Sequence, residues 1–281
     1  MKSTPLDRLI VPDELKEVFA NVETVFPESR AHLLELAYLE SDEDFLEVAY
    51  DVPDRGRIVE ATVTRCKNGA AVNYPEPYMR RRDPEAMVIA DKKPTDKTHW
   101  NDRFEGEFEP TREATFEWFK NQGRIIVLPF LSGDKRRGYP TLLVAPDNAG
   151  FFVAGLADLQ GFFPADEVPP VFEPRAVIYL APPFRHTHFD GKQVVVHNRL
   201  PHMHELFAYN LYPGPSAKKG VYGILLSIGE EEEWVTLHSS AVQLITPYDN
   251  EFTIMHEGAS GGGKSEMTQA FHREPDGRIR L

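Results

Sequence analysis

Apolar residues recur at helical spacing near the start of the chain. Residues 13–22 and 28–40 each read as a helix, and Leu33, Leu34, Leu36 and Ala37 give the second one face to bury. Residues 67–110 are rich in Pro, Arg, Lys and Asp, and few regular elements are expected there. Pro110 and Thr111 then signal a helix start, with Ala114, Phe116, Trp118 and Phe119 following before Gly123. The runs 124–130 and 141–145 are largely apolar and read as strands. Asp147 and Asn148 are placed to cap a helix over 152–159. Further strands are expected at 176–180, 193–197, 222–228, 233–237 and 251–256. The acidic run Glu230, Glu231, Glu232, Glu233 reads as a solvated turn between two of them. Strands interspersed with helices predict an α/β or α+β protein.

The most specific motif follows the last of these strands. Gly258-Ala259-Ser260-Gly261-Gly262-Gly263-Lys264-Ser265 has the form G-x-x-x-x-G-K-S. Glycines in such a loop turn successive backbone N–H groups inward around phosphate oxygens, and the following helix adds its N-terminal partial charge. Lys264 is placed to reach the β- and γ-phosphates, and the Ser265 hydroxyl to bind Mg²⁺. The apolar run 252–255 precedes the loop. The helix-compatible segment from Glu266 to Phe271 follows it, and Glu266 completes the candidate cofactor-binding set. Strand, loop and helix in that order are what the mechanism requires.

Composition narrows the setting. The 281 residues suffice for a sizeable core, in one large or two ordinary domains. No apolar run approaches the roughly 20 residues that span a bilayer, and the first residues lack a signal-peptide core. Cys66 is the only cysteine, so no internal disulfide forms. A cytoplasmic protein with no membrane association is expected. The formal net charge of −13 argues against nucleic acid as a partner. It leaves room for an anionic substrate in a locally positive cleft.

Two upstream features change the meaning of the loop. Lys218-Lys219-Gly220 opens the segment expected as a strand at 222–228. His238-Ser239-Ser240-Ala241 follows, with His238 lying 19 residues beyond Lys219. Taken in order with the loop, these segments resemble the ATP-dependent phosphoenolpyruvate carboxykinases. That family carries a Lys-Lys-Gly segment, a His-x-Ser-Ala segment at the same separation, and a loop of form G-x-S-G-x-G-K-[ST]. The resemblance implies that Lys219 and His238 are ligands of Mn²⁺. Lysine is a ligand only as the neutral amine, a form that a nearby dication favours by repulsion. It also implies that Lys264 and Ser265 hold the nucleotide phosphates and Mg²⁺, with Lys218 beside metal and substrate. The family's reaction decarboxylates oxaloacetate and transfers a phosphoryl group to the resulting enolate. Two cations and a lysine offset the charge on that group.

The resemblance implies a carboxykinase-like N-terminal α/β domain over 1–232 and the opening of a P-loop domain over 233–281. The sequence departs from the family's pattern in four places, the first being a run from His238 to Gly258 a few residues longer than is usual there. The segment from Ala90 to Lys97 resembles the family's T-G-R-S-P-K-D-K, but Lys92 stands where the family has arginine. Lysine lacks the bidentate fork that grips a carboxylate. The family's tyrosine six residues before the metal lysine falls at Pro213, with Tyr212 adjacent. Arg80, Arg81 and Arg82 are candidates for a substitute grip, with a solvated basic turn the plainer reading. The sequence also ends 17 residues after Lys264, before the later metal-binding aspartate and adenine-binding segments of the family. The expectation is a nucleotide domain of which only the opening is present, inactive in this form.

A rival reading rests on His186, His188, His197, His202 and His204. On a strand, residues i and i+2 share a face, so an H-x-H pair with Glu205 offers a zinc or iron site of cupin type. Pro182, Pro183 and Pro201 instead break the region into loops, and hydrogen-bonded structural histidines are the plainer alternative. A non-catalytic nucleotide-binding module is the third possibility.

Overall fold

The computed structural model describes residues 4–75, 86–134, 136–212, 218–245, 248, 250–258 and 261–270. Arg80, Arg81, Arg82, Pro213, Ala259, Ser260 and the segment 271–281 lie outside the described residues. In chain order the elements are α1 (Asp13–Asn21), β1 (Glu23–Val25), α2 (Arg30–Ala37), β2 (Phe45–Val52), β3 (Gly56–Cys66), β4 (Gly69–Asn73), β5 (Met87–Ile89), α3 (Trp100–Arg103) and α4 (Glu109–Lys120). They continue with β6 (Arg124–Ser132), β7 (Tyr139–Pro146), α5 (Gly150–Gln160), β8 (Ala176–Leu180), α6 (Phe184–His188), β9 (Val194–Arg199), β10 (His204–Tyr209), α7 (Lys219–Glu231), β11 (Ser239–Ile245), β12 (Glu251–Glu257) and α8 (Lys264–Ala270). The fold is mixed α/β. By contact density the chain divides into two units, 1–225 and 226–281.

The first unit is built on a seven-stranded sheet in the order β1-β6-β7-β8-β10-β9-β5. Strands β7, β8 and β10 run parallel, whereas β6 is antiparallel to β7 and β9 to β10. The sheet's centre reads as continuous apolar runs because both faces are covered. Val127, Val144, Val177, Tyr179, Phe207 and Tyr209 pack beneath α1 and α4, against Leu15, Phe116 and Phe119. On the other face, α5 lies over β6 and β7, and α2 packs on α5. A second sheet, β2-β3-β4, is antiparallel with a bulge between Val48 and Ala49.

One ion pair is sealed in this core. Arg112 on α4 donates from Nε and Nη2 to the two carboxylate oxygens of Glu205 on β10, each at 2.8 Å. The amide of Asn198 adds a third donor to Glu205 at 2.9 Å. Burial works against the Arg112 charge, but the hydrogen bonds from Glu205 outweigh it and hold the guanidinium firmly protonated.

Three expectations need correction. The segment 222–228 is helical, within α7, rather than a strand. Val221, Ile224 and Ile228 are buried at helical spacing while Glu230 and Glu231 are exposed, a period that the unbroken apolar run concealed. The acidic residues accordingly form the end of α7 instead of a turn between strands. Glu233 takes a left-handed φ of 58°, and Trp234 N–H bonds to the Gly229 carbonyl at 2.7 Å, which closes the helix in a Schellman cap. No strand covers 233–237. Trp234, Val235 and Leu237 are exposed there, and the strand starts only at Ser239.

Candidate functional site

The second unit presents the glycine-rich segment from Gly258 to Ser265. β11 and β12 pair antiparallel, with Ser240 opposite His256. β12 ends at Glu257, and α8 starts at Lys264, so strand, glycine loop and helix follow in order. Gly261 and Gly263 have φ of 90° and 77°, the region where a side chain is strained and glycine is not. A Cβ built on Gly258, Gly261 or Gly263 would meet nothing within 4 Å, so these three positions face open space. The Lys264 ammonium donates to the Gly258 carbonyl at 2.6 Å, folding the side chain back across the loop. Ser240 Oγ donates to the Lys264 carbonyl at 3.1 Å and ties the first turn of α8 to β11. Ser265 and Glu266 are exposed in that first turn, where a carboxylate suits the helix dipole.

His238 stands exposed, immediately before β11 rather than at the end of a preceding strand. Lys219 belongs to the first unit, exposed at the start of α7, with Lys218 just before it. Lys218-Lys219-Gly220 therefore opens a helix and not the expected strand. Gly220 packs closely there: a Cβ would come 2.3 Å from the tip of the Leu206 side chain on β10, which would have to shift.

That contact locates the start of α7 on the sheet. Leu206 pairs with His197 on β9, and His197 O accepts from Ala90 N at 2.9 Å beyond β5. Three residues further along α7, Gly223 lies beside the Met87 sulfur, in the row of Val195 and Ala208. The helix thus runs with its N-terminus towards the end of the sheet where β5 and β9 finish. Asp91, Lys92 and Lys93 follow β5 at that same end. Lys92 is exposed and pairs with Glu107 at 3.4 Å. Lys92, Lys218 and Lys219 are therefore gathered at one end of the first unit, together with the N-terminal dipole of a 13-residue helix.

Sequence reasoning missed the group that shapes this end. Arg199, the last residue of β9, donates from Nε and Nη2 to Asp91 at 2.8 Å each. Its Nη2 also reaches the Lys93 carbonyl at 2.8 Å, and its backbone N–H reaches Asp91 at 3.1 Å. Asp91 in turn accepts from Lys93 N at 2.9 Å. Burial tends to raise the Asp91 carboxyl, yet the Arg199 hydrogen bonds prevail and hold it below the usual value. The one signal in the sequence was a charged residue closing an apolar strand.

The histidines adopt other roles. His186 and His188 lie on α6, not on a strand, so they do not share a face. His186 Nε2 bonds to the buried Glu60 carboxylate, which also pairs with Arg185 at 3.1 Å. His188 stacks on Phe184. His202 is exposed in the turn before β10, and His204 follows inside the sheet. His197 Nε2 and His204 Nδ1 bond to each other at 2.9 Å. Burial, then repulsion from His204, lowers His197 to about 3 and keeps it neutral. Among the described residues, no group of three or more His, Cys, Asp or Glu side chains is arranged to hold a metal ion. Glu205 serves Arg112 instead.

A depression of about 420 Å³ opens between α1 and α4, lined by Glu14, Glu17, Glu109, Arg112 and Glu113 among others. It lies on the opposite face of the sheet from α7, and its acidity is unsuited to a phosphate or carboxylate. No helix among the described residues is long and apolar enough to cross a membrane.

Comparison with curated proteins gave no match. Residues 11–281 match the family described as "Domain of unknown function (DUF4914)". That match takes in both units and nearly the whole sequence, and the chain belongs to this family.

Proposed function

We propose that this chain binds ATP with Mg²⁺ and Mn²⁺ in a phosphoenolpyruvate carboxykinase-like site for phosphoryl transfer, with oxaloacetate or a related small carboxylate as substrate. The observation that carries the reading is the 251–270 segment. A strand leads into the glycine segment, Gly261 and Gly263 are left-handed and face open space, and a helix begins at Lys264. In this reading Lys264 exchanges its present contacts, that with the Gly258 carbonyl among them, for a phosphate in the loop, and the exposed Ser265 hydroxyl is available to Mg²⁺.

The carboxykinase-like part of the proposal rests on the order of Lys219, His238 and the loop along the chain. The gathering of Lys92, Lys218 and Lys219 at one end of the first sheet supports it. In this reading Lys219 and His238 hold Mn²⁺, Lys218 lies beside metal and substrate, and Lys92 faces the substrate carboxylate. Such groups act by offsetting negative charge that accumulates on the transferring phosphoryl group and the enolate oxygen. A carboxykinase-like fold for the first unit belongs to the same proposal.

Manganese titration followed by electron paramagnetic resonance, with ATP present, tests the metal assignment. One Mn²⁺ site is expected. Outer-shell partners of metals contribute 10–100-fold in affinity, so Lys219→Gln and His238→Gln should each weaken that site by at least about tenfold. Equal Mn²⁺ affinity in all three proteins would remove the carboxykinase-like metal site and leave a nucleotide-binding module.

A further inference from the structure

The proposed function leaves open how a lysine takes over where the related family uses arginine. Lys92 sits in an exposed turn, and a flexible ammonium makes a poor orienting group unless its backbone is fixed. The structure fixes it from below. Arg199 is 7% exposed and is engaged on nearly every side. Its guanidinium spans the Asp91 carboxylate through a two-pronged contact and continues to the Lys93 carbonyl, with a longer approach to the Pro94 carbonyl at 3.5 Å. Asp91 then folds the chain back on itself by accepting the Lys93 N–H, a local turn of the type aspartate favours. His99 Nδ1 meets the Asp91 carbonyl at 2.8 Å, and Ile89 N–H meets the Thr98 carbonyl at 2.9 Å, so the loop is closed at its base.

The consequence is a turn whose backbone is held at 91, 93 and 94 while the exposed Lys92 ammonium pairs with Glu107 at 3.4 Å. Arg199 itself is spent on this task. With both prongs on Asp91 and another N–H on Lys93, it has little capacity left to grip a ligand. A lysine in its place would supply one point charge and would lose the fork that joins a carboxylate to a carbonyl.

We propose that Arg199, acting through Asp91, is the positioning residue that aims Lys92 at a small carboxylate substrate bound between the 91–94 turn and the N-terminus of α7. The inference rests on the carboxylate-binding part of the proposed function. It goes further in assigning the orienting role to two residues, Arg199 and Asp91, that do not touch the substrate.

A double-mutant cycle read by calorimetric titration of oxalate into the full chain, in metal-free buffer, tests it. The proteins are the wild type, Lys92→Gln, Arg199→Lys and the double variant. Each single substitution is expected to weaken oxalate binding about tenfold. The double variant should bind no more weakly than Lys92→Gln alone, because an orienting group has no effect once the group it orients is gone. A purely structural Arg199 would instead weaken binding by the same factor in both backgrounds, and that result overturns the proposal. Unchanged binding in Arg199→Lys overturns it equally. Asp91→Asn, which leaves the contacts of Arg199 with the Lys93 and Pro94 carbonyls possible, provides a second variant with the same expected pattern. If the wild type binds ATP but no oxalate, both this inference and the carboxylate assignment fail and the nucleotide reading stands. If oxalate binds with the expected coupling but ATP does not, the nucleotide reading alone fails.

Discussion

Glu205→Ala is expected to destabilise the first unit by about 3–5 kcal/mol, the range for removing one partner of a buried ion pair. The reason is what stays behind. Glu205 is fully buried, and it accepts two hydrogen bonds from Arg112 and one from Asn198. Its loss leaves two guanidinium N–H groups and an amide N–H with no acceptor, under a sheet lined by Phe207 and Tyr209. Glu14 and Glu109 contact a different nitrogen, Nη1, at 3.1 and 3.0 Å, and they are about half exposed. They cannot replace the lost carboxylate without moving inward. At roughly 2–4 °C per kcal/mol for a unit of this size, the melting temperature should fall by about 10 °C. The double variant Arg112→Met, Glu205→Leu should lose much less than the sum of its parts, because no charge is then left buried. Thermal denaturation of five proteins, the wild type, Glu205→Ala, Arg112→Met, Glu205→Leu and the double variant, measures both. A loss below about 1 kcal/mol for Glu205→Ala would mean that water reaches Arg112.

Gly150→Ala should be comparably damaging for a steric reason. A Cβ on Gly150 would lie 2.1 Å from the Leu36 carbonyl oxygen and 2.4 Å from its carbon. Those are backbone atoms near the end of α2, so no rotamer relieves the clash. The start of α5 would have to separate from α2, the helix it packs on, and overpacking of this kind costs about 3 kcal/mol. Gly155, five residues along the same helix, is the natural control. A Cβ there meets nothing within 4 Å, so Gly155→Ala should stabilise by roughly 0.5–1 kcal/mol through helix propensity. Urea denaturation should therefore show shifts of opposite sign. Two shifts of the same sign would contradict the close α2–α5 packing.

How much of this was legible in the sequence depended on the range of the interactions. β8 was readable to the residue because its five apolar positions are buried on both faces. α1, α4 and β12 were readable from local spacing and turn signals. α7 was misread because Val221, Tyr222, Ile224, Leu225, Leu226 and Ile228 form a run with no visible polar face. Only its packing against Leu206 and Met87 shows the helical period. β10 was hidden because it begins with His204 and Glu205, polar residues made tolerable by partners on β9 and α4. The same holds for the basic end of the first unit. A resemblance singled out Lys92, whereas the Arg199–Asp91 pair beside it joins residues 108 apart in the chain. The His186–Glu60 pair joins residues 126 apart. No local pattern carries such pairings, since they are created when strands and helices pack.

The central claim is that the loop from Gly258 to Ser265 binds the phosphates of a nucleotide, and calorimetric titration of MgATP into the chain tests it most directly. Saturable binding is predicted for the wild type. Lys264→Ala should abolish it, because the loop then loses the lysine that the motif assigns to the β- and γ-phosphates. MgATP affinity that is unchanged in Lys264→Ala, or no binding by the wild type, would contradict it.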